Sequence, residues 1–312
     1  MKRYDEEGPD TASWALHRKH IFVLSSAGKP IFSRFGDESL LAPLAGVLQA
    51  LISFVSESGD TIRYVRAGAH RMVFLMRGPL YLAAMSRCGD SVPHLARQLS
   101  YLHAQILSIL TAKVEAIFLK NAAFDLRGLL GGTDRVLRAL IAAGSGDAAM
   151  LLGATPTLRT PPAARAELGK LLGAARPPEL LFGLLLAHGQ LLQLLRPKKV
   201  PLHADATSSA HSSRGLPTPT FQSRRQVPLH ADDVLLVVNT VTSSAAFRED
   251  ESWLPLCLPR FNPKGFLYAH VSFVAPEVCL VLLTAQADGF PQLSACRQQL
   301  AAKLQQEGEL RS

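Results

Sequence analysis

The sequence holds little that makes or breaks bonds. Its four cysteines, Cys88, Cys257, Cys279 and Cys296, form no C-x-x-C pair, so neither a zinc site nor a disulfide framework is indicated. Reduced thiols of a cytoplasmic protein are the expectation. None of the ten histidines sits in an H-E-x-x-H pattern, and His94 and His103 have no ligand partner four residues on. Residues 128–133 are glycine-rich, but no lysine precedes Thr133, which excludes a P-loop. Ala143-Gly144-Ser145-Gly146 lacks the G-x-S-x-G spacing of a nucleophile elbow. Carboxylates at a useful helical spacing are missing too, and Glu249-Asp250-Glu251 reads as a solvated acidic run. We therefore expect no active site of its own, no metal and no cofactor. Aromatics make up only 7%, basic residues are dispersed and no recognition signature is present, which argues against nucleic acid. Long apolar runs are short in supply as well. The strongest, residues 180–195, is interrupted by His188, Gly189, Gln190 and Gln193 and falls below the ~20 apolar residues of a membrane span. The first 14 residues are polar and acidic, unlike a secretory signal.

What is present is a globular composition, 48% hydrophobic and 19% charged, in a chain of 312 residues, long enough for two domains. The net charge of +8 favours anionic partners, although solubility accounts for such an excess equally well. The organising stretch is residues 19–57. Ile21-Phe22-Val23-Leu24 and Ile31-Phe32 are β-prone runs around a turn containing Gly28, which predicts a hairpin. The period then changes: Leu40, Leu41, Leu44, Val47, Leu48, Leu51, Ile52 and Val55 predict one buried helical face, capped by Ser39, with Pro43 in the first turn and Gly59 at the end. Three more strands are expected at 61–67, 71–76 and 80–85, completing a five-stranded antiparallel meander. A helix capped by Ser91 follows, its stripe made of Leu95, Leu99, Leu102, Ile106 and Ile109. Residues 113–130 and 133–143 read as further helices.

The second half repeats this order less clearly. Residues 150–158 suit a strand and 161–175 a helix. The leucines of 180–187 and 191–196 read as a hairpin, and a single buried helix fits them almost as well. In 233–245, valine and threonine favour strand while the spacing Val234, Val237, Val238, Val241 favours helix, which is the reading adopted. Strands at 254–258, 265–274 and 278–284 and a closing helix at 290–306 complete the plan. Val200-Pro201-Leu202-His203-Ala204-Asp205 recurs 27 residues later as Val227-Pro228-Leu229-His230-Ala231-Asp232. Residues 206–226 between the copies are rich in Ser, Thr and Pro, and are expected to form an inserted mobile loop that folding does not need.

Residues 14–25, 27–31, 33–36 and 84–87 resemble the first longin domain of the vacuolar fusion protein MON family. Residues 121–130, with Asp125-Leu126-Arg127, resemble the helical segment after it. Residues 257–266 (Cys-Leu-Pro-Arg-Phe-Asn-Pro-Lys-Gly-Phe) and Cys296-Arg297 resemble the family's second longin domain. The resemblance implies an α/β fold of the α+β type with two longin domains, each an antiparallel five-stranded sheet flanked by helices. The boundaries expected are a disordered leader at 1–18, a first domain with its following helices at 19–143, and a second at 144–306 with the insertion at 200–226. Against the family pattern, this form is expected to lack the third longin domain, and the 200–226 insertion to have no counterpart.

The resemblance also implies a role. Family members pair with a CCZ-type longin subunit, and the pair is a guanine-nucleotide exchange factor for a late-endosomal Rab GTPase. It acts in endosome maturation, vacuole and lysosome fusion and autophagy, recruited peripherally from the cytoplasm to an anionic or phosphoinositide membrane surface. The alternative is a longin adaptor or tether without exchange activity. Ile62, Tyr64 and Arg66 are the candidate partner edge, and Ser33 and Arg34 the candidate Rab contacts. Lys198 and Lys199, just before the insertion, and Arg224 and Arg225, near its end, are candidate lipid contacts.

Overall fold

The computed structural model describes residues 4, 6–121, 124, 126–196 and 229–309. The first unit runs α1 (Ala12–Leu16), β1 (Lys19–Ser25), β2 (Pro30–Ser33), α2 (Ala42–Glu57), β3 (Tyr64–Ala67), β4 (His70–Arg77), β5 (Leu80–Ser86) and α3 (Val92–Leu110). Three short helices lead out of it: α4 (Val114–Lys120), α5 (Asp134–Ala143) and α6 (Ala148–Leu152). The second unit is α7 (Pro162–Ala174), β6 (Leu180–Ala187), β7 (Gln190–Leu195), α8 (Ala231–Thr242), β8 (Ser252–Leu256), β9 (Leu267–Ala275), β10 (Val278–Thr284) and α9 (Phe290–Glu309). The insertion 200–226 lies outside the described residues.

Each unit holds one five-stranded antiparallel sheet, with helices on both faces. The order is β2-β1-β5-β4-β3 in the first and β7-β6-β10-β9-β8 in the second. This corrects the expected meander: β1 pairs with β5 along its whole length, from Lys19↔Ser86 to Ser25↔Leu80. The cause is in β1 itself. Its residues are buried on both faces, so it needs a neighbour on each side and becomes a central strand. The helix α2 then carries the chain from one sheet edge, β2, to the other, β3.

Alternation along the strands divides the core. Ile21, Val23, Val73, Leu82 and Ala84 meet Leu95, Leu99, Leu102 and Ile106 of α3. Phe22, Leu24, Phe74 and Ala83 meet Leu41, Ala45, Leu48 and Ile52 of α2 on the opposite face. In the second sheet Phe182, Leu184, Val271 and Val281 face α8, while Leu185, Leu280 and Leu282 face α7 and α9. Leu235 of α8 also enters the first unit's core. Consequently α8 is buried towards both units, which is why its apolar residues spread round the helix and looked strand-like in sequence.

Several local expectations change. The N-cap of α2 is Leu41, not Ser39, because the Asp37 carboxylate accepts the Ser39 N–H at 2.8 Å and holds that residue in a turn. The Ser91 cap is present: its hydroxyl accepts the His94 N–H at 3.3 Å. The helix expected at 113–130 stops at Lys120 and turns follow from Leu126. Residues 150–158 begin as α6, capped by Asp147 and closed by Gly153 at φ +66°, and only Thr157 bridges to β7. The described part of the leader, a segment expected to be disordered, packs on the sheet through Trp14, whose indole centroid lies 3.8 Å from that of the His20 ring. Gly36 makes room for it, since a Cβ there would stand 2.4 Å from the Glu7 carbonyl oxygen.

Burial lowers the imidazoles of His20 and His103 to about 4 each. Between pH 6.5 and 4 the unfolded chain therefore binds protons that the folded chain refuses. Stability rises with pH across that window and falls on acidification, by on the order of 1 kcal/mol per pH unit for each histidine. We expect a lower thermal midpoint at pH 5 than at pH 7, with a smaller difference in His20→Phe. An unchanged pH difference in that variant would remove His20 from the account.

Candidate partner interface

Of the four sheet edges, β7 is covered by backbone, β2 is met by a side chain of α5 and β8 is blunted by a proline. At β2 the Arg138 guanidinium of α5 donates to the carbonyls of Ser33 (3.1 Å) and Arg34. At β7, Leu191 donates to the Pro156 carbonyl at 2.8 Å and accepts from Leu158 at 3.0 Å. The β8 edge contains Pro255, and beyond it Cys257 donates to Ser108 of α3 at 2.8 Å. The outer side of β3 has no backbone partner among the described residues. Arg63, Tyr64 and Arg66 are exposed along it.

The helix α2 also carries apolar surface that its own sheet does not use. The residues read as one buried face split in two. Leu41, Ala45, Leu48 and Ile52 are buried, whereas Leu40, Val47, Leu51 and Phe54 are 47%, 58%, 37% and 75% exposed. The sequence carried the signal: adjacent apolar pairs, Leu40-Leu41, Val47-Leu48, Leu51-Ile52 and Phe54-Val55, widen the apolar arc to roughly half the helix, more than one contact covers. Gln49 lies against Gly28 in the β1–β2 turn, and the exposed stripe is on the opposite flank of the helix. Half-buried Val65, Met72 and Met76 pack on the same layer from β3 and β4. Flexible thioethers suit a surface that adapts to a partner.

The residues nominated from sequence are distributed unevenly around this surface. Tyr64 is 57% exposed on the β3 edge, with Arg66 beside it, while Ile62 is 8% exposed in the α2 layer. Ser33 is buried and internally satisfied: its N–H donates to Glu38 at 3.1 Å and its hydroxyl to the Phe35 carbonyl at 2.6 Å. Arg34 is half-buried over the Phe35 ring, 5.0 Å from its centroid. Neither is brought to the β3 edge. Lys198, Lys199, Arg224 and Arg225 lie outside the described residues. The basic cluster His17-Arg18-Lys19-His20 does not form a surface patch, because Lys19 and His20 are buried. Sequence reasoning missed Phe54 and assigned Val47 and Leu51 to the core.

Residues 19–140 match the description "First Longin domain of FUZ, MON1 and HPS1", and residues 220–302 match "Second Longin domain of FUZ, MON1 and HPS1". The chain is 38% identical over 303 residues to "Vacuolar fusion protein MON1 homolog" of Arabidopsis thaliana, covering 97% of this chain and 46% of that protein. It is 37% identical over 307 residues to "Vacuolar fusion protein MON1 homolog A" of Homo sapiens (97% and 43%) and 38% identical over 307 residues to the human homolog B (97% and 52%). The chain thus spans about half the length of these relatives.

Proposed function

This chain belongs to the MON1 family of longin-domain proteins, and from that premise we propose that it serves vacuolar fusion as one subunit of a guanine-nucleotide exchange factor. Its partner is a CCZ-type longin subunit, and the pair acts on a late-endosomal Rab GTPase. The observation that carries the reading is the uncovered β3 edge, taken together with the exposed flank of α2. An edge of this kind takes a strand from a second sheet, and the apolar flank widens the contact. Exchange needs no acid, base or metal from this chain. A joint surface that binds the nucleotide-free GTPase more tightly than the loaded form loosens its Mg²⁺ and phosphate contacts and so speeds release. No helix among the described residues is long and apolar enough to cross a membrane. The reading also includes peripheral recruitment to endosomal and lysosomal membranes, with Lys198, Lys199, Arg224 and Arg225 as lipid contacts.

The test is release of a fluorescent guanine nucleotide from the Rab, with this chain, with the CCZ-type partner, and with both. Acceleration only by the pair is the expected result. Capture of the partner without any acceleration would instead establish the rival reading, a longin adaptor or tether.

A further inference from the structure

The helix α3 is buried on two faces of different chemistry. Its apolar stripe covers the first sheet, while Gln98, Tyr101, Gln105 and Ser108 form a second, polar stripe that is equally buried. Most of that stripe meets the second unit. Gln105 donates to Ser108 (2.7 Å) and Thr240 (3.2 Å) and accepts from Asn239 (3.0 Å), which also donates to the Val136 carbonyl. At the end of the seam stands Asp232. It accepts the Tyr101 hydroxyl at 2.9 Å from the first unit and the Arg260 guanidinium at 3.1 Å from the second, with Arg97 at 4.0 Å. The neighbouring Asp233 is fully buried and accepts the backbone N–H groups of Arg260 (3.1 Å) and Phe261 (2.9 Å). Two backbone bonds cross between the units at the other end, Cys257 to the Ser108 carbonyl and Ala112 to that of Pro263.

We propose that Asp232 is a carboxylate latch locking the two longin units into one body through Tyr101, with Asp233 and residues 257–266 as the frame that holds it on the second unit. This block supplies Cys257 and Pro263 to the seam and steadies the two carboxylates through Arg260 and Phe261, which gives a role to a block that the partner interface does not use. The second copy of the duplicated hexapeptide provides the latch itself, since His230 caps α8 by accepting the Asp232 N–H at 3.1 Å. A polar seam fixes one orientation more sharply than an apolar one, and removing one member leaves its buried partners unsatisfied. The connection out of α3 is strained: Thr111 holds φ 63° and ψ 168°, a conformation that favours glycine, and the contact from Ala112 to Pro263 lies next to it. The seam is thus a hinge held shut by named contacts. The latch is independent of whether the chain promotes exchange.

Hydrogen exchange on the full chain tests it with two variants, Asp232→Ala and Tyr101→Phe. The seam amides of Ala112 and Cys257 are expected to exchange roughly tenfold faster or more in at least one of them, while the amides of β1 and β10 keep wild-type protection. Wild-type exchange at the seam in both variants overturns the latch. So does equal acceleration of seam and sheets in both, which would make the carboxylates part of a single cooperative core.

Discussion

Replacing Leu51 and Phe54 together with aspartate is expected to weaken capture of the proposed CCZ-type partner by about a hundredfold or more, and to leave the chain folded. The two side chains are 37% and 75% exposed, so their removal takes little from the core that Leu48 and Ile52 make on the other side of the turn. In a complex the same positions become the centre of a desolvated patch. A truncated aromatic anchor there costs 2 kcal/mol or more in typical interfaces, about thirtyfold, and an unpaired buried charge adds to that. Tyr64→Asp on the β3 edge should act in the same direction with a smaller effect, because backbone pairing survives the loss of one side chain. Substituting Ile62 is a different experiment. That side chain belongs to the α2 layer, and its replacement by lysine reports on folding rather than on the edge. A Leu51→Asp, Phe54→Asp chain with a wild-type thermal midpoint and undiminished partner affinity would move the interface away from α2.

The strand and helix order was legible where a pattern is strong, as in the continuous apolar run of β1 and the regular stripe of α3. Sheet order was less legible. Five strands in sequence suggest a meander, and only the two-sided burial of Ile21 to Leu24 marks β1 as central. The same limit applies to α2 and α8. An apolar arc wider than one contact means two contacts, and sequence alone does not say whether the second is internal, as for α8 against α3, or left open, as for α2. Polar residues misled in the opposite direction. Gln105, Ser108 and Asp233 look like solvent-facing positions, yet each is buried with partners drawn from distant parts of the chain. Ser33, nominated as a Rab contact, is another polar residue that the fold buries, together with its partner Glu38 five residues away.

Lys19→Met is expected to lower stability by about 3 kcal/mol, a fall of several degrees in thermal midpoint, with no change in binding to anionic vesicles. In sequence Lys19 belongs to a basic cluster. In the fold its ammonium is 2.9 Å from Asp90 and 3.3 Å from the Gln98 side-chain oxygen, with the lysine side chain 6% exposed. Burial pushes the Asp90 carboxyl up, but hydrogen bonds from Ser86 (2.6 Å) and Lys19 outweigh it and hold the group below its ordinary range. Methionine keeps the length and apolar stem of lysine and removes the charge, leaving the carboxylate paired only by Ser86 and the weaker, more distant His94 at 4.0 Å. The loss is therefore electrostatic, and two further measurements identify it. Adding Asp90→Asn should restore part of the stability, because a neutral amide no longer needs the ammonium. The wild-type advantage over Lys19→Met should also be present near neutral pH and disappear as pH falls through the lowered Asp90 value, since a protonated carboxyl gains little from Lys19. Equal stability of wild type and Lys19→Met at neutral pH would mean that the pair contributes nothing. A loss of vesicle binding at unchanged stability would return Lys19 to the surface role that its sequence neighbours suggest.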